Sequence, residues 1–145
     1  MRLGTIIAAA TASTLMMLGS SGNVLAQSAP SLSLEFNGLE KSDNGCRLTF
    51  VVNNGFPNTL NRAAFEIAMF NTEGAVDRLT VLEFKELPAG KTKVTRFNLA
   101  GADCAKIGRI LVNEVTDCTG EGVDTASCRA ALKTNSRAGS VQFGL

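Results

Sequence analysis

The chain has 145 residues, with 14 basic and 13 acidic side chains and no histidine, tryptophan or tyrosine. Without histidine it lacks the usual general base near neutral pH, the base of most nucleophile triads and the commonest metal ligand. The near-zero charge, with no cluster of Lys or Arg, argues against nucleic acid or an anionic membrane surface as partner.

The N-terminus carries one basic residue, Arg2, then an apolar run from Leu3 to Leu18, a Gly-Ser-Ser-Gly stretch at 19–22 and Val24-Leu25-Ala26. That order of regions is the pattern of a secretory signal peptide, and the small residues at Val24 and Ala26 place cleavage before Gln27. Residues 1–26 are therefore expected to be a signal, and 27–145 one domain with one core. The remainder keeps 13 of the basic residues and all 13 acidic ones, so it is formally neutral. Arg2 has no second arginine beside it, and no cysteine stands near the end of the apolar run to take a lipid. No later apolar stretch approaches the length of a membrane span. A periplasmic or secreted protein is expected, in a compartment where cysteines oxidise.

Short runs of Val, Ile, Leu, Phe and Thr, punctuated by Gly, Asn, Asp and Pro, then recur along the chain, which predicts an all-β domain. Leu32, Leu34 and Phe36 alternate with Ser33, Glu35 and Asn37, giving one buried and one wet face. The turn signals Asn37-Gly38 and Asn44-Gly45 follow. A second run, Cys46 to Asn53, sets Leu48, Phe50 and Val52 on one face and ends in the loop Asn54 to Asn58, expected to be exposed and poor in side chains, which is a candidate partner contact although such a segment is more often just a connection. A third, Ala63 to Asn71, buries Phe65, Ile67 and Met69 and is apolar on its second face through Ala64, Ala68 and Phe70, as in a central strand. Thr72 to Ala75 turns into a fourth run, Arg78 to Glu86, and Pro88 to Lys91 into a fifth, Lys93 to Leu99. Both lose strict alternation, at Val81-Leu82 and between Val94 and Phe97, which predicts a bulge in each. Arg109 to Val115 is apolar on both faces. Asp124 is a candidate cap for a short helix near 124–133, running from Thr125 to Leu132 through Ala126, Ala130 and Ala131. The last run, Ser140 to Leu145, sets Val141, Phe143 and Leu145 on one side. About seven strands joined by tight turns favour an immunoglobulin-like two-sheet β-sandwich.

Four cysteines in an exported chain point to two disulfides, with three pairings open. If successive strands run antiparallel, Cys46 and Cys104 lie at one end of the sandwich and Cys118 and Cys128 at the other, so Cys46 is expected to pair with Cys104 and Cys118 with Cys128. The thiol redox alternative lacks a Cys-x-x-Cys motif, and zinc would want closer ligand pairs or histidine. The pairs Glu83 with Glu86 and Glu35 with Glu40 raise a glycosidase reading, but their spacing also suits solvated strand faces, and no aromatic but phenylalanine is present to stack on a sugar. No Gly-x-Ser-x-Gly elbow occurs, and Gly101 to Cys104 does not sit between a strand and a helix as a phosphate loop must. In the acidic loop 117–124, the oxygens of Asp117, Thr119, Glu121 and Asp124 form a weak calcium candidate. They do not follow the helix-loop-helix calcium spacing. The plainer reading of that loop is a glycine turn, a disulfide anchor and a helix cap. No cofactor is expected.

The segments Leu34 to Leu39, Gly45 to Asn54 and Arg109 to Asn113 resemble a family of uncharacterised small exported proteins of alphaproteobacteria, some labelled only for a twin-arginine export signal. Cys46 to Asn54 is also similar to the strand and loop of small FxLYD-type immunoglobulin-like domains. Neither resemblance implies catalytic residues. The resulting expectation is a disulfide-stabilised binding or structural module of the cell envelope, its partner an envelope protein. Two alternatives accompany it: an accessory subunit that docks by strand addition along Val141 to Leu145, and a histidine-free thiol redox or hydrolytic enzyme.

Overall fold

The alternation of Leu32, Leu34 and Phe36 with polar neighbours does make a strand, and each of the three is at most 1% exposed. In the computed structural model, which describes residues 28–145, this strand is β1, Leu32–Ser42. The expected signal peptide and its cleavage site lie outside the described residues. Six more strands and a helix follow in order: β2 Gly45–Asn54, β3 Leu60–Asn71, β4 Val76–Glu83, β5 Thr92–Ala100, β6 Ile107–Gly120, α1 Thr125–Ala131 and β7 Leu132–Ser136, and β8 Gln142–Gly144 closes the chain. They form two four-stranded sheets, β5-β2-β1-β7 and β4-β3-β6-β8. The architecture is an all-β two-sheet sandwich.

Burial decides the packing. The inner face of the first sheet brings Leu34, Phe36, Leu48, Phe50 and Val52 against Phe65, Ile67, Met69, Ile110 and Val112 of the second. Phe50 sits at the centre, its ring 5.3 Å from Phe36, 5.9 Å from Phe84, 6.0 Å from Phe97 and 5.6 Å from Phe143. Most of these pairs are edge-to-face, the arrangement that the ring quadrupoles favour.

Several local expectations are corrected. Asn37-Gly38 is not a turn: β1 runs through it, and the register with β2 shifts between Phe36 and Gly38, which is a β-bulge. The fifth run has no bulge, because β5 pairs with β2 in unbroken register and simply points Val94 outward and Phe97 inward. In β4 the shift falls at Asp77, between the pairs Met69–Arg78 and Phe70–Val76, not at Val81-Leu82. There Val81 faces solvent at 52% exposure and Leu82 is buried. The strand also ends at Glu83: Lys85 takes a φ of 57°, and Phe84 and Leu87 turn into the core. The short β7 has no apolar alternation to announce it. It forms by parallel pairing with β1, in the register Leu32–Leu132 to Phe36–Ser136. In the last run Val141 is buried and Phe143 packs on Phe36 and Phe50, but Leu145 is 62% exposed.

The sandwich is closed along its β4/β5 side by two cations that point inward from edge strands. Arg78 donates to the Ala100 carbonyl at 2.9 Å, and the Lys93 ammonium donates to the Phe84 and Glu86 carbonyls. Inward-pointing charge of this kind also discourages edge-to-edge pairing.

Disulfides close the two ends. Cys46, fully buried at the start of β2, is bonded to Cys104 in the 3-10 turn Cys104–Lys106, with Cα atoms 5.2 Å apart. Cys118, buried on the inner face of β6, is bonded to Cys128 of α1 across 6.4 Å. No cysteine is free.

Candidate binding groove

The segments that stand out in sequence as loop, acidic turn and helix converge at the Cys118–Cys128 end of the sandwich. Asn54, the one buried polar residue of the described chain, shapes the first of them. Its amide nitrogen donates to the Asn58 and Leu87 carbonyls, and its oxygen accepts from the Phe56 amide. Buried and fully used, it folds the loop 54–58 back on itself and drives Phe56 inward to 7% exposure, so the loop is not the exposed segment expected from sequence: Gly55 and Pro57 are exposed, but Asn54 and Phe56 are buried. Gly55 lies against Ser31, to whose carbonyl its amide donates at 2.7 Å. A Cβ there would come within 2.6 Å of that oxygen, so a side chain cannot replace the glycine without moving the leading segment.

The second segment reverses tightly after β6. Gly120 bridges to Val123, Gly122 takes a φ of 69°, and the Asn58 side-chain amide donates to the Glu121 carbonyl at 3.0 Å. Asp124 then caps α1, accepting from the Ser127 amide at 2.8 Å and hydroxyl at 2.7 Å. These bonds hold the Asp124 carboxyl below its usual range, the Ser127 hydroxyl contributing most. Between the loop, the turn and the helix lies an open groove of about 480 Å³. Its walls are Phe56 and Pro57, Val123, Ala130 and Ala131, with Ala29 and Pro30 at one side and Asn58, Glu121 and Ser127 as polar points. The disulfide and the Asn58–Glu121 bond fix all three walls to one another, so the groove is preformed.

The calcium candidate is not assembled. Asp117 lies on the outer face of the second sheet, 3.1 Å from Arg62, and Asp124 is spent on its cap. Thr119 and Glu121 are exposed, and among the described residues no group of three or more His, Cys, Asp or Glu is placed to hold a metal. Of the paired carboxylates, Glu83, Glu40 and Glu35 are likewise taken up by neighbours, while Glu86 lies past the end of β4 with only its backbone carbonyl bonded, to Lys93. Glu83 accepts two hydrogen bonds from Arg62, Glu40 is paired with Arg47, and Glu35 accepts from Asn37, Asn135 and Arg137. Those partners hold the Glu35 carboxyl below its usual range, Asn37 foremost, and Glu83 with Asp117 raise the Arg62 guanidinium. These are ladders on outer strand faces rather than acid–base pairs facing a cleft.

The opposite end carries a hollow of about 630 Å³, lined by Lys41 to Gly45 and Gly101 to Ala105. Cys104 lines it with exposed Lys41, Asp43 and Asp103 around it. Both ends are tied by a disulfide, and of the two the first has the more apolar lining. Compared with family models, curated proteins and solved structures, the chain matches none.

Proposed function

We propose that this chain is an exported, disulfide-stabilised sandwich that serves as a non-enzymatic binding or structural module in the periplasm or outside the cell, with an envelope protein as partner. The reading is carried by the two disulfides, one at each end of the β-sandwich, since such bonds persist in oxidising compartments and are rare in the cytosol. The absence of histidine from the sequence and the engagement of Glu35, Glu40 and Glu83 in strand ladders support a non-catalytic role. The immunoglobulin-like assignment belongs to the same reading, supported by two packed sheets of largely antiparallel strands. The groove beside α1 is the surface it assigns to contact.

The test is photocrosslinking from within that surface. A crosslinking side chain at Ala130, in the groove, is compared with one at Lys133, on the outer face of β7, in the exported and oxidised protein. A discrete adduct from position 130 and none from 133 supports the reading. Equal labelling from both positions, or none from 130, removes the groove from the account.

Strand addition along the C-terminus has one observation in its favour: β8 ends its sheet, so one edge of it is open. Deleting Ser140 to Leu145 is nevertheless a poor test. It would strip Val141 and Phe143 from the core, where Phe143 lies 5.6 Å from Phe50. Hydrogen exchange at residues 142–144, with and without a captured partner, is the cleaner measurement: protection on capture supports strand addition and unchanged exchange rejects it.

A further inference from the structure

The two outer faces of the sandwich differ in chemistry. That of β5-β2-β1-β7 carries polar ladders such as Arg47 with Glu40 and Asn98, and Glu35 with Asn135 and Arg137. That of β4-β3-β6 carries an apolar field along β4 and the central row, with Arg109 at one end and Glu66 and Glu114 at the other, Glu66 accepting from the Asn113 side-chain amide at 2.6 Å. Leu79, Ala68 and Leu111 form one row across the three strands. Val76, Phe70 and Arg109 form the next row on one side, and Val81, Glu66 and Glu114 the next on the other. Val76, Leu79 and Val81 are 58%, 57% and 52% exposed. Solvent-facing apolar side chains contiguous over several rows mark an interaction surface.

We propose that this face docks a second copy of the chain, with strands antiparallel, about a two-fold axis over the Leu79–Ala68–Leu111 row. The register selects that occupant. A half-turn about the axis lays the central row on itself and sets Val76 over Val81 of the other copy. It also brings Arg109 onto Glu114 and Glu66 of the other copy, and the exchange occurs twice by symmetry. Arg109 now lies 5.2 Å over the Phe70 ring and takes part in no ion pair among the described residues. Glu114 has only a 3.4 Å contact with exposed Arg129. A face positive at one end of β6 and acidic at the other is complementary to itself in this orientation and repulsive in the parallel one. The Arg62–Glu83–Asp117 cluster falls one row further out, at the rim. Edge-to-edge growth through β4 is opposed by inward-pointing Arg78, which leaves the face.

Three strands by three rows make a footprint of roughly 300 to 400 Å² per copy from strand and residue spacings. A standard interface buries about 800 Å² per partner, so the dimer is a weak and readily reversible one.

Sedimentation equilibrium of the oxidised mature chain, from about 1 μM to about 500 μM, tests this across the range in which weak dimers form and dissociate. The expected result is a reversible monomer–dimer equilibrium. Leu79→Glu, at an exposed site, should weaken it at least about tenfold while leaving the circular dichroism and melting unchanged. Arg109→Glu should also weaken it, and Arg109→Glu combined with Glu114→Arg should restore it, because the swapped charges again face one another. A chain monomeric throughout the range overturns the proposal, as does a dimer indifferent to Leu79→Glu. Failure of the double variant to recover overturns the antiparallel arrangement.

Discussion

Replacing Phe50 by alanine tests the core that holds both ends of the molecule in place. The ring is fully buried and within about 6 Å, centroid to centroid, of four other phenylalanine rings. A buried Phe→Ala change costs about 3 to 5 kcal/mol from lost transfer energy and the residual cavity, and the lost ring pairs place this site toward the upper end. Phe70 is the control: it is half-buried on the outer face of β3 under Arg109, and truncating it should cost only about 1 kcal/mol. Urea unfolding with the disulfides intact reads the difference. With a slope of roughly 1 to 3 kcal/mol per molar, the Phe50 variant should unfold on the order of 2 M urea earlier than the parent. Equal midpoints for Phe50→Ala and Phe70→Ala would refute the assignment of Phe50 to the centre of the packing.

Loop lengths order the disulfides. Cys46–Cys104 spans 58 residues and Cys118–Cys128 spans 10. The Cys46→Ser/Cys104→Ser variant should therefore lose about 4 kcal/mol and the Cys118→Ser/Cys128→Ser variant about 3, measured by the same unfolding; the reverse order would count against the chain-entropy account. Gly45→Ala should destabilise strongly, because a Cβ there collides with the Leu99 carbonyl, while Gly38→Ala meets open space and should melt close to the parent. Both Asp124 and Glu35 have folded-state pKa values below their unfolded ones, so their contribution is present above the ordinary carboxylate range and lost as pH falls through the folded values. Melting followed downward from about pH 5 should decline less steeply in Asp124→Asn/Glu35→Gln than in the parent. Calcium and a chelator should each leave the melting temperature unchanged; a rise with calcium would show that the acidic loop gathers oxygens the structure keeps apart.

What was legible in the sequence follows from which forces are local. Alternation along Leu32 to Phe36 and Leu48 to Val52 reports a half-buried strand directly, and Asp124 before an Ala-rich segment reports a capped helix. The parity of antiparallel strands carried the cysteines to opposite ends. Asn37-Gly38 misleads because the pair permits a turn without requiring one: Gly38 takes no positive φ, and only the register of β1 against β2 shows that the strand runs through with a bulge. Val81-Leu82 reads as a bulge because both faces of β4 are apolar there, one toward the core and one toward the exposed field. The polar segment Lys133 to Ser136 gives no signal, since β7 is an edge strand made by its pairing with β1. The groove was visible only in pieces: the loop after β2, the glycine turn and the helix are each local features. Their meeting depends on Asn54, Asn58 and the Cys118–Cys128 bond, which act across long sequence separations.

The most direct test of the account is a disulfide map, a free-thiol count and N-terminal sequencing of the protein recovered from outside the cytoplasm under non-reducing conditions. The account requires a chain beginning at Gln27, with Cys46 joined to Cys104, Cys118 joined to Cys128 and no free thiol. An uncleaved chain with reduced cysteines, or Cys46 joined to Cys118, would contradict an exported sandwich closed at both ends.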